Sequence, residues 1–158
     1  MCELLFEFFF GNVNFLNAAL DETFFREQWG QWWSSANDIL LNQGPENLPE
    51  DLQCFPGLIF QVLAVALQFL PDSYNARIDE LKFAPSQTIS DLSSEYSECS
   101  EALSKLLIRT KPTLVGVQRS FLRDWWLVNT GDLMEAWNHS GETVRYDDTP
   151  SISLVLMS

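Results

Sequence analysis

The sequence predicts an all-α fold, with about six helices packed as antiparallel hairpins around an aromatic core and a short C-terminal tail. Apolar residues recur at spacings of three and four along almost the whole chain, which is the period of an amphipathic helix. Of the 158 residues, 46% are hydrophobic, and they include 12 Phe and six Trp. We expect a single domain, since one core commonly covers about 100 to 200 residues.

Two aromatic helices are predicted at the N-terminus. The first covers residues 3–15, where Phe side chains recur at helical spacing. The second covers residues 24–41, and either Asp21 or Thr23 is suited to cap it, because short side chains with an oxygen accept hydrogen bonds from the first free N–H groups of a helix. The second helix is expected to carry one aromatic stripe, made of Phe25, Trp29, Trp32 and Trp33.

The third predicted helix is the most apolar element. A polar loop through Gln53 is expected before it, and Pro56 suits its first turn, where a missing N–H breaks no bond. Residues 58–70 are apolar on nearly every face, which places them at the centre of the core. Gln61 and Gln68 interrupt this run, and a membrane-spanning helix needs about 20 apolar residues, so we expect no membrane span.

The fourth helix has the clearest periodicity. Its stripe expected to be buried consists of Ile89, Leu92, Tyr96, Cys99, Leu103 and Leu106. The acids off this stripe are expected to face water, and they are Asp91, Glu95, Glu98 and Glu101. Lys105 and Arg109 suit the end of this helix, because cations interact favourably with the negative end of the helix dipole.

The last two helices are expected to form an αα-hairpin. Thr113 can cap the first of them and Asp132 the second, with Gly131 as a left-handed C-cap between them. The predicted apolar face of the first consists of Leu114, Val117, Phe121, Trp125 and Val128. In the second, Gly141 is expected to let another helix approach closely. Residues 149–158 are expected to be a docked or frayed tail.

The formal net charge of −13 results from 22 acidic and nine basic residues. Phosphate contacts need clustered Lys and Arg, so we expect no direct DNA binding by this chain and no attraction to an anionic membrane. One basic cluster contains no acid, and it consists of Lys105, Arg109, Lys111, Arg119 and Arg123. Three interpretations of it stay open: a nucleic-acid patch, an exposed row of Arg119 and Arg123, or pairing with acids of the same chain.

No pattern in the sequence predicts catalysis or a cofactor, so we expect no enzyme. The single histidine, His139, excludes metal sites that need two histidines of one chain, and a Ser-His-Asp triad would have to use it. We expect His139 at a partly exposed helix position. There is no phosphate-binding glycine loop and no nucleophile elbow. Cys2, Cys54 and Cys99 are too widely spaced for a metal-binding pair and are expected to be reduced thiols of a soluble, intracellular protein.

A series of residues in the right order resembles the fungal-specific transcription factor domain, the middle homology region of zinc-cluster transcription factors. The likeness is strongest over residues 112–145, and an aromatic helix followed by a Thr-Phe step is similar to the family's opening. The residues that carry it are Thr23, Phe24, Val117, Gln118, Gly131, Ala136, Trp137, Gly141 and Arg145. The resemblance implies that residues 1–148 are the first part of such a regulatory domain, as in a truncated member.

The resemblance implies structural roles for these residues. Trp137 would anchor the core, Gln118 would satisfy a buried backbone group, and Arg145 would cap the far end of the hairpin or pair with an acid.

The function that the resemblance implies is regulation of DNA-templated transcription in the nucleus, with the cytoplasm as the alternative location. The expected partners are other parts of a transcription factor or a regulatory protein, together with a small-molecule effector. The family's cysteine-rich zinc cluster, which contacts DNA, is absent from this sequence, so no zinc is expected in this chain. Two alternatives remain: an independent helical interaction module, and a small helical ligand-binding protein or enzyme.

Overall fold

The computed structural model describes residues 2–107 and 112–147, and within these ranges the chain is helical with no β-strand. The predicted all-α class and aromatic core are therefore confirmed for the described part. The α-helices are α1 Cys2–Asn12, α2 Glu22–Gln31, α3 Asn37–Asn42, α4 Glu50–Gln68, α5 Ile89–Leu106, α6 Leu114–Thr130 and α7 Leu133–Asp147. Short 3-10 turns lie at Asn14–Leu16, Pro45–Asn47 and Ala76–Leu81, and a π-helical turn lies at Trp32–Ala36.

The helix α4 lies at the centre of the fold, in contact with α1, α5 and α6. It is buried on nearly every face from Leu52 to Leu67, as predicted. The predicted start was wrong, because the helix begins at Glu50 rather than after a loop through Gln53. Glu50 and Asp51 lie in its first turn, where the positive end of the helix dipole favours acids.

Two properties of α4 follow from this early start. Pro56 lies inside the helix, where it lacks the N–H that would bond the Leu52 carbonyl. The helix is also long and apolar enough to cross a membrane, but 72% of its apolar window is buried inside the protein. That burial is the property of a core helix, which is the role predicted for this run.

Aromatic side chains of α1 and α2 meet α4 in one cluster. Phe6 packs edge-on against Phe25 with ring centroids 5.0 Å apart, and Phe25 contacts Phe55 of α4 at 5.3 Å. The Trp29 Nε1–H donates to Glu3 Oε1 at 2.7 Å, which joins α2 to α1 at the rim of this cluster. Edge-on aromatic pairs contribute about 0.5–1.5 kcal/mol beyond the area that they bury.

The second predicted helix is interrupted. Asp21 caps its first part by accepting a hydrogen bond from the Phe24 N–H at 2.8 Å, while Thr23 lies inside the helix. The π-helical turn at Trp32–Ala36 then separates α2 from α3. Trp33 lies in this turn and is 57% exposed, but its ring contacts that of Trp29 with centroids 5.4 Å apart, so it continues the predicted aromatic stripe at the surface.

The helix α5 covers the predicted stripe but buries only part of it, including Leu92 and Tyr96. Thr88 and Asp91 form a capping box at its start, with hydrogen bonds of 3.0 and 2.9 Å. The side chains that it buries are Leu92, Ser93, Tyr96, Ser97 and Ser100. Cys99 and Leu106, which were predicted to be buried, are exposed.

Serine side chains join α5 to α4 along this face. Ser93 Oγ donates to the Ala64 carbonyl at 2.7 Å, and Ser100 Oγ donates to the Gly57 carbonyl at 2.8 Å. Gly57 is the position where this packing needs a glycine, because an added Cβ would lie 3.2 Å from Arg119 Cδ and 3.5 Å from the Ser100 carbonyl oxygen.

The helices α6 and α7 form the predicted αα-hairpin, and its three predicted end signals are confirmed. Thr113 accepts a hydrogen bond from the Gly116 N–H at 3.0 Å. Gly131 has a φ of 88°, the left-handed conformation that a glycine adopts without strain. Asp132 Oδ1 accepts from the Glu135 N–H at 3.1 Å and begins α7.

The predicted apolar face of α6 was wrong. The helix turns a different face inward, and its buried side chains there include Val115, Arg119, Leu122, Arg123, Trp126 and Leu127. Of the residues predicted to be buried, four are exposed, namely Leu114, Val117, Phe121 and Val128, and Trp125 is half-buried and stacked on Phe69. The inner face of α6 therefore carries two arginines, and their partners form the site described below.

Two further predictions concern the C-terminal part. No described atom outside its own helix lies within 4 Å of an ideal Cβ on Gly141, so the close approach predicted there is not found. The predicted tail at residues 149–158 lies outside the described residues.

Candidate functional site

A cluster of charged side chains lies between α5, α6 and α7, on the inner side of the hairpin. Glu101 of α5 is at its centre, and its side chain is only 14% exposed. Glu101 Oε2 lies 3.0 Å from Arg119 Nη1, 3.6 Å from Arg123 Nε and 3.5 Å from His139 Nε2. One carboxylate of α5 therefore holds both helices of the hairpin. The expectation that Glu101 faces water was wrong.

Arg123 is the most enclosed charge of the cluster, with a side chain that is 2% exposed. Its Nη1 donates to the Ser97 carbonyl at 3.0 Å and to Ser97 Oγ at 2.7 Å. Its Nη2 lies 3.3 Å from Glu98 Oε1 and 3.1 Å from Glu135 Oε1. The guanidinium also lies 5.9 Å from the centre of the Trp126 ring. A buried charge is tolerated when it is paired and hydrogen-bonded, and both conditions hold here.

These contacts decide between two interpretations of the basic cluster. The interpretation of Arg119 and Arg123 as an exposed row was wrong, because both side chains are buried and paired with acids of the same chain. Intramolecular pairing, the third interpretation, is confirmed for these two residues. Lys105 Nζ also lies 3.4 Å from Glu101 Oε1, although its side chain is largely exposed, and Arg109 and Lys111 lie outside the described residues.

His139 lies at a partly exposed position of α7, as predicted, with a side chain that is 11% exposed. Its Nδ1 lies 2.6 Å from Asp124 Oδ1, and Ser140 Oγ donates to Asp124 Oδ2 at 2.8 Å. Both ring nitrogens of His139 thus face carboxylates, those of Asp124 and Glu101. A catalytic triad needs a hydroxyl bonded to the imidazole, whereas this serine bonds to the aspartate instead.

The contacts within the cluster shift the pKa values of His139 and Glu101. Burial lowers the pKa of His139, but hydrogen bonds to Asp124 and Glu101 outweigh burial and raise this pKa to about 9. The hydrogen bond from His139 lowers the pKa of Glu101 well below its usual range; burial opposes this effect, and the charge of Arg119 adds to it. At neutral pH, His139 is therefore a cation and Glu101 an anion, so the cluster is held by full charges.

Other features of the described residues offer little for chemistry. No group of three or more His, Cys, Asp or Glu side chains among them is placed to hold a metal ion. Two open surface depressions of about 440 and 460 Å³ share Phe83. Tyr74 and Lys82 line one, and Gln87 and Glu95 line the other. Neither depression includes a residue of the charged cluster.

The residues that carry the family resemblance do not converge on one site. Thr23 and Phe24 lie in the first turn of α2, with Phe24 half-buried against the core. Gln118 Nε2 lies 3.5 Å from the Ala19 carbonyl oxygen, in keeping with the predicted bond to a backbone group. Val117 is exposed on α6.

The role predicted for Trp137 was wrong. This side chain is 78% exposed, whereas its neighbour Ala136 is 5% exposed. The reason is the charged cluster, which turns His139 and Glu135 toward α5 and α6 and leaves Trp137 on another side of α7. Arg145 belongs to α7, but its side chain lies outside the described residues.

An apolar surface remains uncovered on the hairpin, and we call it the outer face. It consists of Leu114, Val117, Phe121 and Val128 of α6 and Leu133, Met134 and Trp137 of α7, each at least 47% exposed. Single exposed apolar residues are normal, but a contiguous apolar patch usually marks a contact surface.

The hydrogen bond from Ser140 Oγ to Asp124 Oδ2 places these two residues on the line along which α6 and α7 meet. Residues three, four or seven positions apart lie on one side of a helix. Phe121 and Val128 therefore lie on the same side of α6 as Asp124. By the same rule, Leu133 and Trp137 lie on the same side of α7 as Ser140. Both apolar rows thus border the line along which the two helices meet.

Sequence reasoning missed most of the charged cluster, including Glu101, Asp124 and Glu135. A usable signal was present in the basic cluster, where Arg119 and Arg123 stand four residues apart between apolar positions. Glu98 and Glu101 provide a similarly spaced pair of acids on the preceding helix. Matching these two pairs would have favoured intramolecular pairing over an exposed row.

Comparison of the chain with family models, with curated proteins and with solved structures finds no match. Its function is therefore argued from its own residues.

Proposed function

We propose that this chain is the regulatory, non-DNA-contacting part of a protein that resembles a fungal zinc-cluster transcription factor. In this role it takes part in the regulation of DNA-templated transcription in the nucleus. It binds other parts of a transcription factor or a regulatory protein, and it responds to a small-molecule effector. It is neither an enzyme nor a membrane protein, and it carries no zinc.

The main support is the orientation of the hairpin's arginines. A DNA-contacting hairpin would present Arg119 and Arg123 to phosphates, but both are buried in ion pairs within the chain. The net charge of −13 opposes the approach of a polyanion as well. The hairpin that bears most of the resemblance instead has an uncovered apolar face.

The first experiment tests the absence of DNA contact. The chain is titrated against fluorescently labelled duplex DNA at low salt and followed by anisotropy. No saturable binding is expected, because the described arginines of the hairpin are already neutralised. Saturable binding that weakens with added salt would contradict the proposal.

The second experiment tests regulation. The chain is fused between an unrelated DNA-binding domain and an activation domain, and reporter output is measured in fungal cells. Output is expected to differ from that of a matched fusion carrying an unrelated acidic helical domain of equal length. Equal output from the two fusions would refute a regulatory role.

An independent helical interaction module is the second candidate, and the outer face favours it. Such a module would bind a partner but leave the reporter unchanged, so the fusion experiment separates the two candidates.

A further inference from the structure

The outer face is large enough to take one helix along its length. Leu114 and Val128 mark its ends on α6, and fourteen residues of helix span about 21 Å. Phe121 lies between them, and Trp137 adds the largest exposed ring from α7. This arrangement matches the recognition mode in which an amphipathic helix lays its apolar side on a helical surface.

The charges around this face are of one sign. The two described arginines of the hairpin, Arg119 and Arg123, point to the opposite side and are paired there. The carboxylate of Asp132 is exposed at the turn, whereas that of Glu135 faces Arg123 on the inner side. Within the described part of the hairpin, the charge available to a partner is therefore negative.

This charge distribution selects among occupants. A second copy of the chain would bring another net charge of −13 to the contact, and an anionic lipid surface would be repelled as well. A helix with basic residues beside its apolar side satisfies both properties of the face, because complementary charge speeds association and excludes unsuitable partners.

We propose that the outer face binds an amphipathic helix of another protein, with basic residues flanking its apolar side. This inference rests on the proposed regulatory function and names the chemical class of its partner. The large exposed rings of Phe121 and Trp137 supply most of the binding free energy, as aromatic side chains do at other interfaces.

The test uses the full chain and three synthetic helical peptides of equal length, with binding followed by calorimetry. The first has a leucine stripe flanked by Lys, the second has the same stripe flanked by Glu, and the third keeps the Lys residues but replaces the leucines with Gln. Only the first is expected to bind in a saturable manner.

Two variants locate the binding surface, and one serves as a matched control. Phe121→Ala and Trp137→Ala are each expected to weaken binding of the first peptide by at least about tenfold. Phe83→Ala removes a ring near the start of α5 that is about as exposed as that of Trp137, and it is expected to have no effect. Hydrogen exchange on the unaltered chain gives a variant-free measurement, with added protection expected in α6 and α7 rather than in α5.

Several results would overturn the inference. Equal binding of the Gln peptide would show that charge alone is responsible, and equal binding of the Glu peptide would show that charge has no role. Equal weakening by Phe83→Ala would place the contact elsewhere. Dimerisation in sedimentation that Trp137→Ala abolishes would assign the face to a second copy. If the first peptide does not bind but the fusion alters reporter output, only the proposed class of partner is rejected. Saturable binding of DNA by the chain would reject the proposed function itself.

Discussion

Replacing Glu101 by Gln should be among the most damaging single changes on α5, although it alters only one functional group. The substitution keeps the shape of the side chain but leaves Arg119 and Arg123 with less negative charge around them. Removing one partner of a buried ion pair costs about 3–5 kcal/mol. Arg123 keeps Glu98 and Glu135, so we expect the lower end, about 3 kcal/mol.

The assay is urea unfolding followed by tryptophan fluorescence and by circular dichroism. The midpoint should fall while the slope stays constant, since the surface exposed on unfolding does not change. Glu95→Gln is the matched control, because Glu95 is an exposed acid on the same helix. Its effect should stay within about 0.5 kcal/mol.

A double-mutant cycle with Arg119→Gln separates pairing from general damage. Removing both partners should destabilise the protein by less than the sum of the two single changes, because no unpaired charge of this pair is left behind. Strict additivity, or a loss for Glu101→Gln no larger than for Glu95→Gln, would refute the account of the cluster.

Two further predictions test other parts of the structure. Folded His139 binds its proton more tightly than the unfolded chain, so its contribution to stability is complete below pH 6.5 and is lost as the pH rises through about 9. The free energy of unfolding, measured by urea titration across this pH range, should therefore fall by up to about 3 kcal/mol. His139→Gln should abolish this part of the pH dependence, and equal pH dependence in the variant and the unaltered chain would contradict the prediction. Gly57→Ala should destabilise the protein by about 1 kcal/mol, because its new Cβ would crowd Arg119. Gly30→Ala, at an exposed position of α2, should stabilise it by about 0.5–1 kcal/mol. Thermal melts compare the two variants, and changes of the same sign would be evidence against the close packing at Gly57.

Local signals in the sequence predicted the ends of helices well. Thr113, Gly131 and Asp132 act through hydrogen bonds or backbone conformation within a few residues of themselves, so their roles are visible in a short stretch of chain. The aromatic core was predictable from composition, because a chain with 12 Phe residues must bury most of these rings away from water. The start of α4 was not predicted, because its first turn is polar and gains its burial only from distant helices.

The buried faces of α5 and α6 were mispredicted for one shared reason. Counting apolar residues assumes that polar side chains face water, but Ser100 and Arg123 are buried and have partners on other helices. The partner of Ser100 on α4 and those of Arg123 on α5 lie more than 20 positions away in the chain, and no local period records them. Trp137 was mispredicted as a consequence, because α7 is oriented by the charges of His139 and Glu135.

The serine hydrogen bonds between α5 and α4 also determine how the two helices can move relative to each other. Ser93 and Ser100 each bond a particular carbonyl, those of Ala64 and Gly57. Sliding α5 by one helical turn, about 5.4 Å, would break both of these bonds at once. Purely apolar ridges tolerate small sliding more readily, since the hydrophobic effect has no preferred direction. The two bonds therefore favour the observed register of α4 and α5 over one displaced by a helical turn.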